Sequence, residues 1–185
     1  MKTKYQTKLA AVLLSAAFMS AASAHTTKVE EYSAYCSQSG GVVEQMPAEI
    51  STGSGMVKGQ TKIFCNFTIQ GGFLAMGLET FASDVPSIAA TFIKKMDDIA
   101  EDSPLLKGKY ENPSANFCKN IGGATIGFVA SGGFANDLGQ ADICVFGDGS
   151  MVSGWSLIYM AIHREGYDEV KQKVKAAPMN ITIPH

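Results

Sequence analysis

The sequence predicts an α+β fold: two similar helix–β-hairpin–helix repeats packed into one disulfide-bonded domain. Three observations point there. A skeleton of aromatic-Cys, Gly-Gly and Cys-x-Phe occurs twice, all four cysteines lie beyond a leader-like N-terminus, and each half passes from strand-like runs to helical spacing.

The first 24 residues read as a signal peptide rather than as structure. Lys2, Lys4 and Lys8 form a positive start, Leu9 to about Ala22 is an apolar stretch, and Ala22-Ser23-Ala24 is a small-x-small cleavage site. The apolar stretch is short of the roughly 20 residues of a membrane span and is rich in Ala and Ser. Cleavage there would leave His25 as the mature N-terminus and no membrane span after it. Of the 15 basic residues three fall in this leader, leaving 12 against 17 acidic side chains and a net charge near −5. No Lys/Arg cluster suits nucleic acid. An even cysteine count in an exported chain favours disulfides, while the lack of C-x-x-C or paired histidines argues against zinc.

The repeats are expected over 25–103 and 104–185. Tyr35-Cys36-Ser37-Gln38-Ser39-Gly40-Gly41 aligns with Phe117-Cys118-Lys119-Asn120-Ile121-Gly122-Gly123, and Cys65-Asn66-Phe67 aligns with Cys144-Val145-Phe146. The offsets between matching cysteines are nearly equal. A helix should carry each first cysteine, with Asn112 as N-cap and Pro113 in the first turn of the second one. Gly40-Gly41 and Gly122-Gly123 should stop these helices, since glycine takes the left-handed conformation without a Cβ penalty. Strands follow from Val42 to about Met46 and from Ala124 to about Ala130. Gly-rich loops, Thr52-Gly53-Ser54-Gly55 and Ser131-Gly132-Gly133, lead to return strands over Thr61–Ile69 and Ala141–Phe146. Phe73–Ala82 and Val152–His163 then read as helices. Pro86 opens another, with Ile88, Phe92, Met96 and Ile99 along one face, and Tyr167, Val170 and Val174 mark the last. Ser103-Pro104 to Lys109 is the expected junction, and joining the hairpins in one sheet is the simplest way to stabilise both.

The second half resembles a small bacterial exported domain of unknown function that often carries a haemolysin label. Asn112-Pro113, Phe117-Cys118, Gly122-Gly123, Cys144, Phe146, Asp148-Gly149-Ser150 and Trp155 match its pattern in order, over roughly 112–160. Two further cysteines of that pattern are absent here, at Val152 and near Ile162. The resemblance implies export and no established activity.

No catalytic set stands out. The histidines are His25, His163 and His185, and Gly53-Ser54-Gly55 lacks the strand-to-helix setting of a nucleophile elbow. Asp148-Gly149 reads as a tight turn with Ser150 capping the helix after it, and Trp155 as core. Asp97, Asp98, Glu101 and Asp102 read as a solvated acidic helix end, and Lys171, Lys173 and Lys175 as the solvated end of another. The expected function is therefore a non-enzymatic binding or interaction protein, periplasmic or secreted, without a cofactor and with an unidentified protein or envelope or host partner. Met56, Phe134 and Leu138, large apolar residues in glycine-rich connections, are the partner-contact candidates. The alternative is a small exported copper-binding metalloenzyme, in which the α-amine and imidazole of His25 chelate the metal.

The duplication selects the disulfide pairing among the three that four cysteines allow: Cys36 with Cys65 and Cys118 with Cys144, each bond closing within its own repeat.

The leader makes a direct prediction. The intact mass of the exported protein should correspond to a chain starting at His25, and a chain that keeps Met1 would overturn this.

Overall fold

Successive side chains of a β-strand point to opposite faces, and here several strand segments are buried on both. Phe64 and Ala75 belong to one apolar cluster, while their neighbours Cys65, Phe67, Leu74 and Met76 belong to another. In this computed structural model, residues 26–69, 72–131 and 139–184 are described. The first half contributes helix α1 (26–38), strands β1 (Val42–Thr52), β2 (Gly55–Ile69) and β3 (Gly72–Gly77), and helices α2 (Leu78–Ala82) and α3 (Ile88–Lys95). The second contributes α4 (Pro113–Asn120), β4 (Ala124–Val129), β5 (Gln140–Val145), β6 (Met151–Ser153), α5 (Gly154–Ala161) and α6 (Tyr167–Lys173). A 3-10 turn, Pro104–Leu106, lies at the expected junction.

The six strands form a closed antiparallel barrel in the order β1-β2-β3-β6-β5-β4. This overturns the expected pair of helix–β-hairpin–helix units. Each half supplies three strands, and neither half holds a complete sheet. Two short seams close the barrel: Ala48 and Glu49 of β1 opposite Phe128 and Gly127 of β4, and Met76 of β3 opposite Val152 of β6. The extra strand in each half is where the sequence reads as helix. Phe73-Leu74-Ala75-Met76 is a short apolar run, which suits a strand buried on both faces as well as a buried helix. Pairing with Phe64–Ile69 makes it strand, and α2 begins only at Leu78. Met151–Ser153 is likewise strand, so α5 begins at Gly154. Pairing also lengthens the first hairpin: β1 runs on to Thr52, β2 starts at Gly55, and Gly53-Ser54 is a tight turn.

Met46, Ala48, Phe64, Ala75, Phe128, Ala141 and Ile143 fill the barrel, with Phe64 and Phe128 meeting edge-on at 5.1 Å between ring centroids. The larger core lies between barrel and helices, around Phe81, Phe117, Leu157, Tyr167 and both cystines. The disulfides join Cys36 to Cys65 and Cys118 to Cys144, pinning α1 to β2 and α4 to β5.

The Gly-Gly pairs do two jobs. Gly40 and Gly122 take φ of +89°, turning the chain out of α1 and α4. Gly41 and Gly123 have no room for a side chain. A Cβ at Gly41 would sit 2.6 Å from Cys65 Sγ and 2.9 Å from Cys36 Sγ, and one at Gly123 would press on Cys144 Sγ most closely and on Cys118 Sγ at 2.8 Å. Asn112 caps α4 by accepting the Ser114 N–H at 3.0 Å, with Pro113 in its first turn.

The disulfides span 29 and 26 residues. On the chain-entropy account each restricts the unfolded chain by roughly 3–4 kcal/mol. Cys118→Ser should therefore lower the unfolding free energy by about 3 kcal/mol in denaturant titration. A loss below about 1 kcal/mol would mean that the bond hardly constrains the unfolded chain.

Candidate functional site

The outer part of the first hairpin carries the clearest exposed apolar surface. Ile50 and Val57 face each other across β1 and β2 and are 47% and 50% exposed. In β1, Ile50 follows Met46 and Ala48 at a spacing of two, so it continues the barrel-lining face past the end of the filled barrel. Met56, 45% exposed, lies opposite Ser51 and so on the other face. The register shifts between Pro47 and Glu49, a bulge that lets the hairpin bend away. Gly59 serves the bulge, because a Cβ there would sit 3.0 Å from Ala48 Cβ.

β3 pairs with β2 only from Phe64 onward. Among the described residues, no strand pairs with the side of Gly55–Ile63 that faces away from β1. The tip is therefore a two-stranded ribbon with an open edge. Met56 is the one partner-contact candidate that the structure describes, and it lies within β2 rather than in a loop. Phe134, Leu138 and His25 lie outside the described residues.

A second site lies where the two halves meet at the helix ends. His163 Nδ1 is 2.9 Å from Asp168 Oδ2, and its Nε2 is 3.6 Å from Asp98 and 4.0 Å from Asp97. Both His163 and Asp98 hold positive φ, 53° and 58°. Lys171 hydrogen-bonds Asp97 and donates to the Met96 carbonyl. Asp97, His163, Asp168 and Lys171 line a shallow cleft of about 410 Å³ together with Lys94 and Gln172. The hydrogen bond and charge of Asp168 raise the His163 pKa above its ordinary 6.5; slight desolvation opposes this, and Asp97 and Asp98 add to it. Burial, then Lys171, lowers the pKa of Lys94. The cluster joins the segment after α3 to the α5–α6 connection. Among the described residues, no group of three or more His, Cys, Asp and Glu could hold a metal ion.

Asp98, Glu101 and Asp102 are exposed as expected, whereas the lysines read as a solvated helix end also tie elements together. Lys171 holds Asp97, Lys173 Nζ donates to the Ser39 carbonyl at 3.0 Å, and Lys175 Nζ lies 4.3 Å from the Tyr35 ring centre. The Asp148–Ser150 turn also differs from expectation. Ser153, not Ser150, caps α5. Asp148 and Ser150 instead accept the amides of Ile88 and Ala89 at 2.7 and 2.9 Å, so a turn of the second half caps α3 of the first. Burial opposes the charge on Asp148, but hydrogen bonds from the Ser150 hydroxyl and the Ile88 and Ser150 amides outweigh it and hold the carboxyl below its ordinary pKa. Trp155 is half-buried against the helix-side core and stacks on Tyr159, which also meets the Tyr167 ring edge-on and has the Arg164 guanidinium 4.4 Å from its ring centre. Gly154 permits the approach of α5 to α4, since a Cβ there would sit 3.0 Å from the Ser114 carbonyl oxygen.

No protein-family model, curated protein or solved structure matches this chain. Among the described residues, no helix is long and apolar enough to cross a membrane. Two disulfides suit an oxidising environment.

The His163 cluster has a definite pH signature. A histidine pKa raised by folding contributes stability that is complete below the unfolded value and is lost as pH rises through the folded value. The imidazole resonances of His163 should titrate with a midpoint above 6.5, and Asp168→Asn should bring it down towards 6.5. A midpoint at or below 6.5 in the unaltered protein would show that the carboxylates do not hold the proton.

Proposed function

We propose that this is an exported protein, periplasmic or secreted, that works by binding a partner rather than by catalysis, with the tip of the first hairpin as its contact surface. The observation that supports it is the exposure of Ile50, Met56 and Val57 on a ribbon that extends past the filled barrel. Clustered exposed apolar side chains on an element that the core does not need are characteristic of interaction sites. Export is supported by the leader-like first 24 residues, by the two disulfides, and by the likeness of residues 112–160 to an exported bacterial domain.

The experiment places a photo-reactive side chain at Met56 in the exported protein, in the living cell. A discrete adduct with one envelope or secreted protein is expected. It should disappear in an Ile50→Ser, Val57→Ser double variant whose unfolding free energy is within about 1 kcal/mol of the parent, because both positions are half-exposed. A uniform smear, or an adduct untouched by the double variant, would remove the tip as the contact surface.

A further inference from the structure

We infer that the open edge of β2, Gly55–Ile63, receives an extended acidic segment of a partner protein as an added antiparallel or parallel strand; this rests on the binding reading above and names the chemistry of the partner. An extended peptide gains affinity from main-chain hydrogen bonds to such an edge, and specificity from what flanks it. At roughly 3.4 Å per residue the edge offers about 30 Å of unpaired backbone, and its side chains are exposed from Gly55 to Lys62.

The charge of the edge selects the partner. From Ile50 to Ile63 the charged residues are Lys58 and Lys62, with no acid among them, on a chain that is acidic overall. Neither lysine takes part in any of the ion pairs among the described residues. Glu49, directly opposite Lys58 in the ladder, has Oε2 within hydrogen-bond reach of Gln140 Nε2 at 3.4 Å. Because the bulge lies between them, Lys58 is level with Glu49 and Lys62 with Met46, so the two ammonium groups flank opposite faces of the ribbon. An incoming strand with carboxylates on both of its faces meets both. A second copy of this chain is a poor occupant, since pairing two such edges would gather four lysines along one seam. Met56 and Val57 then give the added strand an apolar contact on either face.

The test uses the exported protein and two fluorescein-labelled twelve-residue peptides. One alternates pairs of glutamate with valine and threonine, and the other has lysine in place of every glutamate. Anisotropy should show saturable binding of the acidic peptide that weakens with added salt. Binding should fall about tenfold in a Lys58→Glu, Lys62→Glu variant, the scale of two exposed charge pairs, and that variant should take up the lysine peptide instead. Hydrogen exchange should show new amide protection within 55–63. Absence of saturable binding, equal binding by the charge-reversed variant, protection confined to other strands, or a concentration-dependent dimer through this edge would each overturn the inference. The Met56 cross-link separates the two readings. An adduct that persists undiminished in Lys58→Glu, Lys62→Glu overturns strand addition by an acidic segment and leaves a binding protein. Loss of every adduct from Met56 in the parent removes the binding reading itself.

Discussion

The wall of the barrel is one residue thick and separates two apolar cores, and most other features follow from that. Buried strand residues serve either the barrel interior or the helix layer, so neighbours in sequence work in different clusters. Phe64 packs against Phe128 inside the barrel, and Cys65 beside it bonds to Cys36 outside. The small interior accepts side chains of limited bulk, hence Ala48, Ala75 and Ala141 among its larger members. The outer layer takes the bulky ones, Phe67, Leu74, Phe81 and Phe117.

The cystines stand where a helix must lie flat on this wall. Their sulfurs occupy the space that a side chain at Gly41 or Gly123 would need. The recurrent Cys-x-x-x-Gly-Gly spacing therefore encodes both a helix end and a seat for the bond. The first glycine supplies the backbone turn and the second supplies the space. Helix, turn and strand are committed together, so a change at any one disturbs all three.

The two halves also complete each other through polar contacts at a distance in sequence. The Asp148–Ser150 turn caps α3, Thr80 Oγ1 accepts the Met151 amide at 3.0 Å, and Tyr35 donates to the Lys173 carbonyl at 2.7 Å. The His163 cluster adds a titratable link at the same boundary. These ties, with the two strand seams, explain why three strands from each half hold one closed body rather than two adjoining units. Among the described strands, only the outer ends of β1 and β2, beyond Glu49 and before Phe64, are left outside this arrangement.

Local chemistry was readable from the chain alone. Asn112-Pro113 marks a helix start, Gly40 and Gly122 mark helix ends, and the cysteine spacing indicates which helix lies against which strand; each of these depends on residues close together or on a repeated pattern. Beside the local cap by Ser87, the second-half cap of α3 was not readable, because Asp148 and Ser150 lie 60 and 61 residues from the amides they accept. Nor was β3. Its apolar run satisfies helix and strand alike, and only the pairing of Gly72–Gly77 with β2 and of Met76 with Val152 settles it. The exposure of Met56 likewise depended on register, since the length of the hairpin past Phe64, not the glycines around it, leaves that residue in solvent. The capped helices, the turns and the partners of the cysteines all follow from short-range chemistry and a repeated pattern. Closure of the barrel rests on long-range pairing instead, because β3, β5 and the inner end of β2 are buried on both faces and neither half has enough strands to enclose them.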